Sequence, residues 1–248
     1  MRIDIFFGAR GLTPSDVAGR VVLIIDVLRA STTVAVALAN GARAVIPFES
    51  SEDVVTRAKA FERADVRMAG ERRMLPIAGF DLGNSPREFT RAAVEGKTVL
   101  LTTTNGTAVM STSQGARDVI VASYVNFSAV LTMLRAALRG GADVAIVCAG
   151  REHQFALEDA GCAGRYVRHV SKRLGGVELN DAAQACMLLD QQYADNVLRL
   201  LESSEHGRAL RGAGFGDDLA VCAAVDSYLV IPLYQDRQIT KLGPDRER

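Results

Sequence analysis

The chain has 248 residues, 48% of them hydrophobic, enough to bury a full core and to exclude a disordered protein. Its 29 basic and 29 acidic side chains cancel and are interspersed, so the basic stripe of a nucleic-acid binder is missing and small-molecule partners are expected. Four scattered cysteines without a CxxC pair make neither a zinc spacing nor a disulfide framework and are expected to be reduced and buried.

Taken in chain order, Met1-Arg2-Ile3-Asp4 puts a carboxylate where a signal peptide needs an apolar run, and nowhere do eighteen apolar residues follow one another. A cytoplasmic protein with no membrane partner is expected. Apolar runs at residues 21–25, 44–48, 98–101, 119–122 and 144–148 alternate with helical patterns, the rhythm of buried strands joined by crossover helices. Ser85-Pro86-Arg87-Glu88 has the form of a capping box with proline at the first helical position, and Gly96 can close that helix. Asn126 is an N-cap for a helix running to the Gly140-Gly141 stop. The longest helical pattern covers residues 181–201, and the mostly polar residues 235–248 read as a loosely held tail after one domain of residues 1–234.

An internal repeat links residues 20–48 and 97–122. Arg20-Val-Val-Leu-Ile-Ile and Gly41-Ala-Arg-Ala-Val-Ile recur as Lys97-Thr-Val-Leu-Leu and Gly115-Ala-Arg-Asp-Val-Ile, with Thr33 and Thr107 each eight positions before the glycine. The expected fold is therefore α/β, a three-layer α/β/α arrangement built from two related βαβ halves with sites at the carboxyl ends of strands.

The chemistry-bearing residues gather in the loops after these strands. In Asp26-Val27-Leu28-Arg29-Ala30-Ser31-Thr32-Thr33, Asp26 is a metal ligand or nucleophile, Arg29 an anion clamp, and Ser31, Thr32 and Thr33 phosphate donors at a helix start. A plainer role is open for the same residues, with Ser31 capping the helix and Asp26 paired to Arg29. The second copy has Thr104, Asn105, Gly106 and Thr107, a neutral anion cradle. Between the copies lie Glu71 and Arg72, then Asp81, Asn84 and Ser85 in a loop dense in special residues. Beyond residue 148 come Arg151 and His153, and then Glu158 and Asp159, adjacent carboxylates suited to sharing a magnesium ion or to complementing a helix dipole. Gly161 and Gly164, three apart on one helix face, are expected to let that helix sit close to a strand. Asp217 and Asp218 open a last helix, as caps or metal ligands; His169 and His206 read as surface or cap residues.

Several templates fail. Six residues beyond Cys148 stands Gln154 and not the arginine of a cysteine phosphatase loop, and Asp26-Val27-Leu28 lacks the second acid of the haloacid-dehalogenase Asp-x-Asp. Walker, GxGxxG and HExxH patterns are absent.

Together the motifs resemble the 2-phosphosulfolactate phosphatase family. The similar stretches are residues 25–33, Gly70-Glu71-Arg72, residues 79–86, residues 103–107, Ala149-Gly150-Arg151 with Glu158-Asp159-Ala160-Gly161, and, most loosely, Asp217-Asp218 with Cys222, in the family's order from about residue 3 to residue 232. The resemblance implies magnesium-dependent hydrolysis of (2R)-2-phospho-3-sulfolactate to 3-sulfolactate and phosphate, a step in coenzyme M synthesis. Such a triply anionic substrate would account for two cradles and for Arg29, Arg72 and Arg151. On this reading Asp26, Arg29 and Asp81 are catalytic, and magnesium is held by some of Asp26, Glu71, Asp81, Glu158 and Asp159. Ser31, Thr32, Thr33, Asn84, Ser85 and Thr104 would face the substrate, and Asn105, Gly106 and Thr107 its sulfonate or carboxylate end. A homodimer is expected on general grounds. Two alternatives stay open: the same chemistry on another phosphorylated 2-hydroxy acid, and a non-catalytic anion-binding protein.

Overall fold

The computed structural model describes residues 1–8, 12–104, 110, 113, 115–152, 154–193 and 196–243. The five apolar runs are strands: β2 (Val21–Ile25), β3 (Ala44–Phe48), β6 (Thr98–Thr102), β7 (Asp118–Ala122) and β8 (Val144–Cys148). Added to them are β1 (Arg2–Phe7), β4 (Val66–Arg72), the two-residue β5 (Leu75–Pro76) and β9 (Glu178–Leu179), and β10 (Pro232–Gln235) with β11 (Gln238–Lys241). All form one sheet in the order β5-β4-β6-β3-β11-β10-β7-β2-β8-β1-β9.

The helices described are α1 (Pro14–Val17), α2 (Ala30–Ala39), α3 (Ser51–Ala58), α4 (Arg91–Val94), α5 (Phe127–Arg139), α6 (Leu157–Ser171), α7 (Asp181–Tyr193), α8 (Val197–Ser203), α9 (Glu205–Gly212) and α10 (Gly216–Ala223). They surround the sheet in a three-layer α/β/α fold. Alternation along β2 shows why its run is apolar throughout: Val21, Leu23 and Ile25 enter one core cluster, Val22 and Ile24 another. No helix among the described residues is long and apolar enough to cross a membrane.

The two repeat copies interlock. β2 pairs with β7, its parallel neighbour from the other copy, and β3 pairs with β6 in the same way. The registers are equivalent, Val21 opposite Asp118 and Ala44 opposite Thr98. So are the flanking bonds: Arg117 N–H donates to Arg20 O (2.9 Å) as Arg43 N–H does to Lys97 O (2.8 Å). The β10–β11 hairpin closes the seam, with Tyr234 beside Val119, Ile239 beside Val45, and the two opposite one another. Since these pairings are antiparallel, the β4-β6-β3 half of the sheet runs opposite to the β7-β2-β8-β1 half.

Local readings need correction in four places. Residues 238–241, expected in a loose tail, form β11 at the centre of the sheet, because both flanking edges need hydrogen-bond partners. The 181–201 helix is two, α7 and α8, and Asn196 caps the second through Arg199 N–H (3.0 Å). Gly161 and Gly164 were expected to admit a strand. They admit α8 and α7 instead, since a Cβ on Gly161 would lie 2.4 Å from the Leu200 side chain and one on Gly164 1.9 Å from Cys186 O. After Ser85 there is a 3-10 turn, Pro86–Glu88, and no capping box: the Glu88 carboxylate accepts from Gly83 N–H (2.6 Å).

Candidate active site

Asp26 is the first residue beyond β2 and is buried. Its Oδ1 accepts from Ala30 N–H (3.3 Å), so the carboxylate itself closes the start of α2. The three hydroxyls expected to bind phosphate bond inward. Ser31 Oγ accepts from Asp26 N–H (2.8 Å), Thr32 Oγ1 donates to Val27 O (2.9 Å), and Thr33 Oγ1 donates to Asn84 O (2.9 Å). None of them lines the cavity beside Asp26. A loop turning sharply between buried elements must satisfy its own backbone groups, and these side chains do that.

Arg29 is also buried and does reach the cavity. Its Nη1 pairs with Asp218 Oδ2 (2.9 Å), its Nη2 donates to Met74 O (2.9 Å), and its guanidinium lies over the Phe215 ring, 4.5 Å from the centroid. Ser85 Oγ donates to the other Asp218 oxygen (2.6 Å), so Ser85 is spent on Asp218. Exposed Asp217 pairs with Arg87 (2.9 Å). The acidic pair is thus divided between two arginines, Asp218 on Arg29 and Asp217 on Arg87.

The opposite wall comes from β4 and β6. Glu71 Oε1 accepts from Thr104 N–H (2.8 Å) and hydroxyl (2.9 Å), and Oε2 from Met74 N–H (2.7 Å). Arg72, expected to hold substrate, donates to Glu49 O (3.2 Å) and Thr102 Oγ1 (2.9 Å) and lies outside the cavity wall. Arg73 lines the wall in its place, from the two-residue turn that it makes with Met74 between β4 and β5, both at positive φ (49° and 72°). Asp81 is likewise elsewhere. It pairs with Arg63 and accepts from Met68 N–H (2.9 Å), which ties residues 79–83 to β4; although burial opposes it, these bonds hold its carboxyl below the usual range. Asn84 does line the cavity, and its buried Oδ1 has no hydrogen-bond partner among the described residues. Asn105, Gly106, Thr107 and His153 fall outside the described residues.

The third wall follows β8. Arg151 lines the cavity and pairs with Glu205 (2.7 Å). Glu158 and Asp159, read as joint metal ligands, part company because consecutive helical residues do not face one another. Asp159 accepts from Val27 N–H (2.8 Å) and Gly150 N–H (3.0 Å), joining the β2 and β8 loops. Glu158 faces His206, 3.1 Å from Nδ1. His206 lines the cavity, a placement that sequence reading missed: α9 delivers it from 48 residues away, and nothing local to Ser204-Glu205-His206 marks it. Arg73 was missed as well, because it projects from the tight turn after β4 and not from the strand itself.

The cavity encloses about 240 Å³ and adjoins a second of about 310 Å³ that shares Arg151, Glu152 and His206. Burial pushes Asp26 up to about 6, and the charges of Glu71 and Glu158 add to this against His206 and the Ala30 N–H. Burial, with Glu158 and Asp26 nearby, raises Asp159 well above the carboxylate range. The four cysteines are buried thiols held in the protonated form by burial, so none is a nucleophile.

Among the described residues no three His, Cys, Asp or Glu side chains converge into a metal cage. Magnesium does not require one, since it commonly takes one or two carboxylates together with waters and substrate phosphate. Asp26 and Glu71 on one cavity, with the unpartnered Asn84 Oδ1, fit that oxygen-rich preference.

Fold and crevice together define an α/β protein with a small cavity walled by carboxylates and arginines from loops that follow its strands. The family model described as 2-phosphosulpholactate phosphatase matches residues 9–237. Curated relatives named probable 2-phosphosulfolactate phosphatase include one from Symbiobacterium thermophilum, 40% identical over 92% of this chain and 96% of its own length. Another, from Clostridium botulinum (strain Alaska E43 / Type E3), is 32% identical over 98% of this chain and 100% of its own. The chain belongs to the 2-phosphosulfolactate phosphatase family, a family of phosphoric monoester hydrolases.

Proposed function

We propose that the protein is a magnesium-dependent cytoplasmic phosphatase that converts (2R)-2-phospho-3-sulfolactate to 3-sulfolactate and inorganic phosphate, a step of the coenzyme M biosynthesis type. The observation that carries this reading is the pairing, on one cavity, of buried Asp26 with buried Arg29. An acid titrating at about 6 is ionised at neutral pH, while the arginine supplies donors for the phosphoryl oxygens.

Asp26 and Glu71, with Asn84 Oδ1, would hold the magnesium ion, which neutralises charge on the phosphoryl oxygens when bound. Arg29 orients the phosphoryl group, and Arg73 and Arg151 face the remaining anionic groups of the substrate. The bond between phosphorus and the C2 oxygen breaks with its electron pair going to that oxygen, which takes a proton from His206, on the same cavity. Asp26 acts on phosphorus by one of two routes. It attacks directly, and water then releases phosphate from the acyl phosphate, or it takes the proton of a water that attacks in line. Phosphate trapped on Asp26 by acid quench marks the first route.

The test is phosphate release by purified protein from 2-phospho-3-sulfolactate and from a panel of phosphorylated 2-hydroxy acids, with magnesium and with EDTA. Magnesium-dependent release, fastest from phosphosulfolactate, is expected. Release from another panel member alone would reassign the substrate, and release from none would overturn the phosphatase reading.

A further inference from the structure

We propose that Asp218 is a positioning residue for the reaction: from the first turn of α10 it aims the Arg29 guanidinium at the phosphoryl group, with Phe215 and Ser85 completing the clamp. This rests on the phosphatase reading above. Asp218 stands 189 positions from Arg29 in the chain, yet the two side chains are 2.9 Å apart and only 1% and 2% exposed. Asp218 does not border the cavity and Arg29 does, so the carboxylate acts through the arginine.

The donor inventory gives the clamp its direction. A guanidinium has five N–H donors in a rigid plane. One goes to Asp218 Oδ2 and one to Met74 O, on two different nitrogens, and the Phe215 ring covers a face of the plane. These contacts oppose rotation within the guanidinium plane and tilt out of it, and the other three donors of this cavity-lining arginine have no protein partner among the described residues. Asp218 is itself fixed, because Ser85 Oγ bonds its second oxygen at 2.6 Å. A buried arginine whose charge is already balanced has little need of the cavity for stability. What the arrangement adds is a preset fork of donors, the feature that bidentate recognition of a phosphoryl group requires.

The test is calorimetric binding of inorganic phosphate, with KM and kcat for 2-phospho-3-sulfolactate, in Asp218→Asn, Arg29→Lys and the double variant. Asp218→Asn should weaken phosphate binding and raise KM by about tenfold or more, and Arg29→Lys by a similar factor. The double variant should bind no more than about twofold worse than Arg29→Lys alone, because both changes remove one oriented group. Multiplying losses, or unchanged phosphate affinity in folded Asp218→Asn, would overturn the proposal. Where Asp218→Asn does not fold, Ser85→Ala and Phe215→Leu carry the test: each should weaken phosphate binding about threefold in the native background and not in Arg29→Lys. Equal effects in both backgrounds, or none in either, would overturn it. Wild-type protein that neither binds phosphate nor hydrolyses any ester would sink the phosphatase reading itself, whereas active wild type with unaffected variants would sink only the clamp.

Discussion

The two repeat copies present the same backbone feature, a strand end opening onto one crevice, and give it different chemistry. After β2 the first residue is Asp26, a buried carboxylate close to a buried arginine; after β6 the equivalent position is Thr103, followed by Thr104, whose N–H and hydroxyl both bond Glu71. In the proposed mechanism the charged copy faces the reaction, while the neutral copy supports a carboxylate brought by β4. Divergence of this kind is cheap, because the strand registers that hold the copies together depend on backbone and not on loop side chains.

The largest expected effect breaks the charged copy. Asp26→Asn should lower kcat with magnesium by about 1000-fold or more. It should also stabilise the protein above pH 6. An acid whose folded value of about 6 exceeds its ordinary 3.8 loses native stability as pH rises through that window, so the amide should gain about 2–3 kcal/mol in metal-free urea melts at pH 8. Full turnover by this variant would remove Asp26 from the mechanism.

Next comes the neutral copy. Glu71→Gln should cost about 100-fold in kcat/KM and raise the magnesium concentration needed for half-activity, while Thr104→Val, which removes one of three bonds to Glu71, should cost about tenfold in the same direction. A magnesium titration of the three proteins checks the order, and an unmoved midpoint in both variants would detach this wall from the metal.

A smaller effect sharpens the division inside the first loop. Thr33→Val leaves Asn84 O without its donor and should lower stability by about 1–2 kcal/mol in denaturant melts, with KM changed less than about twofold. A KM effect above tenfold would return Thr33 to the substrate.

The smallest effect lies away from both copies. Burial, with Arg168, Arg165, Lys172 and Arg135 around it, pushes His169 down to about 4. The unfolded chain therefore binds the extra proton between pH 6.5 and 4, and stability should fall as pH drops through that window. His169→Gln should flatten that decline in urea midpoints relative to wild type; an unchanged slope would reject the assignment.

Much of the fold was legible because buried parallel strands must be apolar on both faces, and such runs stand out in a sequence whose loops are polar. The repeat was legible for a similar reason: Gly41-Ala42-Arg43 and Gly115-Ala116-Arg117 serve equivalent turns. Asp26, Arg29, Glu71, Asn84, Thr104 and Arg151 were singled out by residue type at loop positions, and all six line the cavity. Side-chain direction was not legible. Ser31, Thr32 and Thr33 looked like phosphate donors, and only the buried carbonyls and amides around them show that their hydroxyls are already committed.

The sequence by itself determined the α/β class, the duplicated strand-and-loop unit and the set of loops that carry chemistry, because periodicity and residue type are local properties. Tertiary structure decided that the copies interlock and that residues 238–241 close the seam between them. It also sent Arg72 and Asp81 away from the cavity and brought His206 to it, and it set Asp218 against Arg29. Each of these depends on a partner far along the chain, and the energy of a buried hydrogen bond or ion pair exists only once both groups have left water.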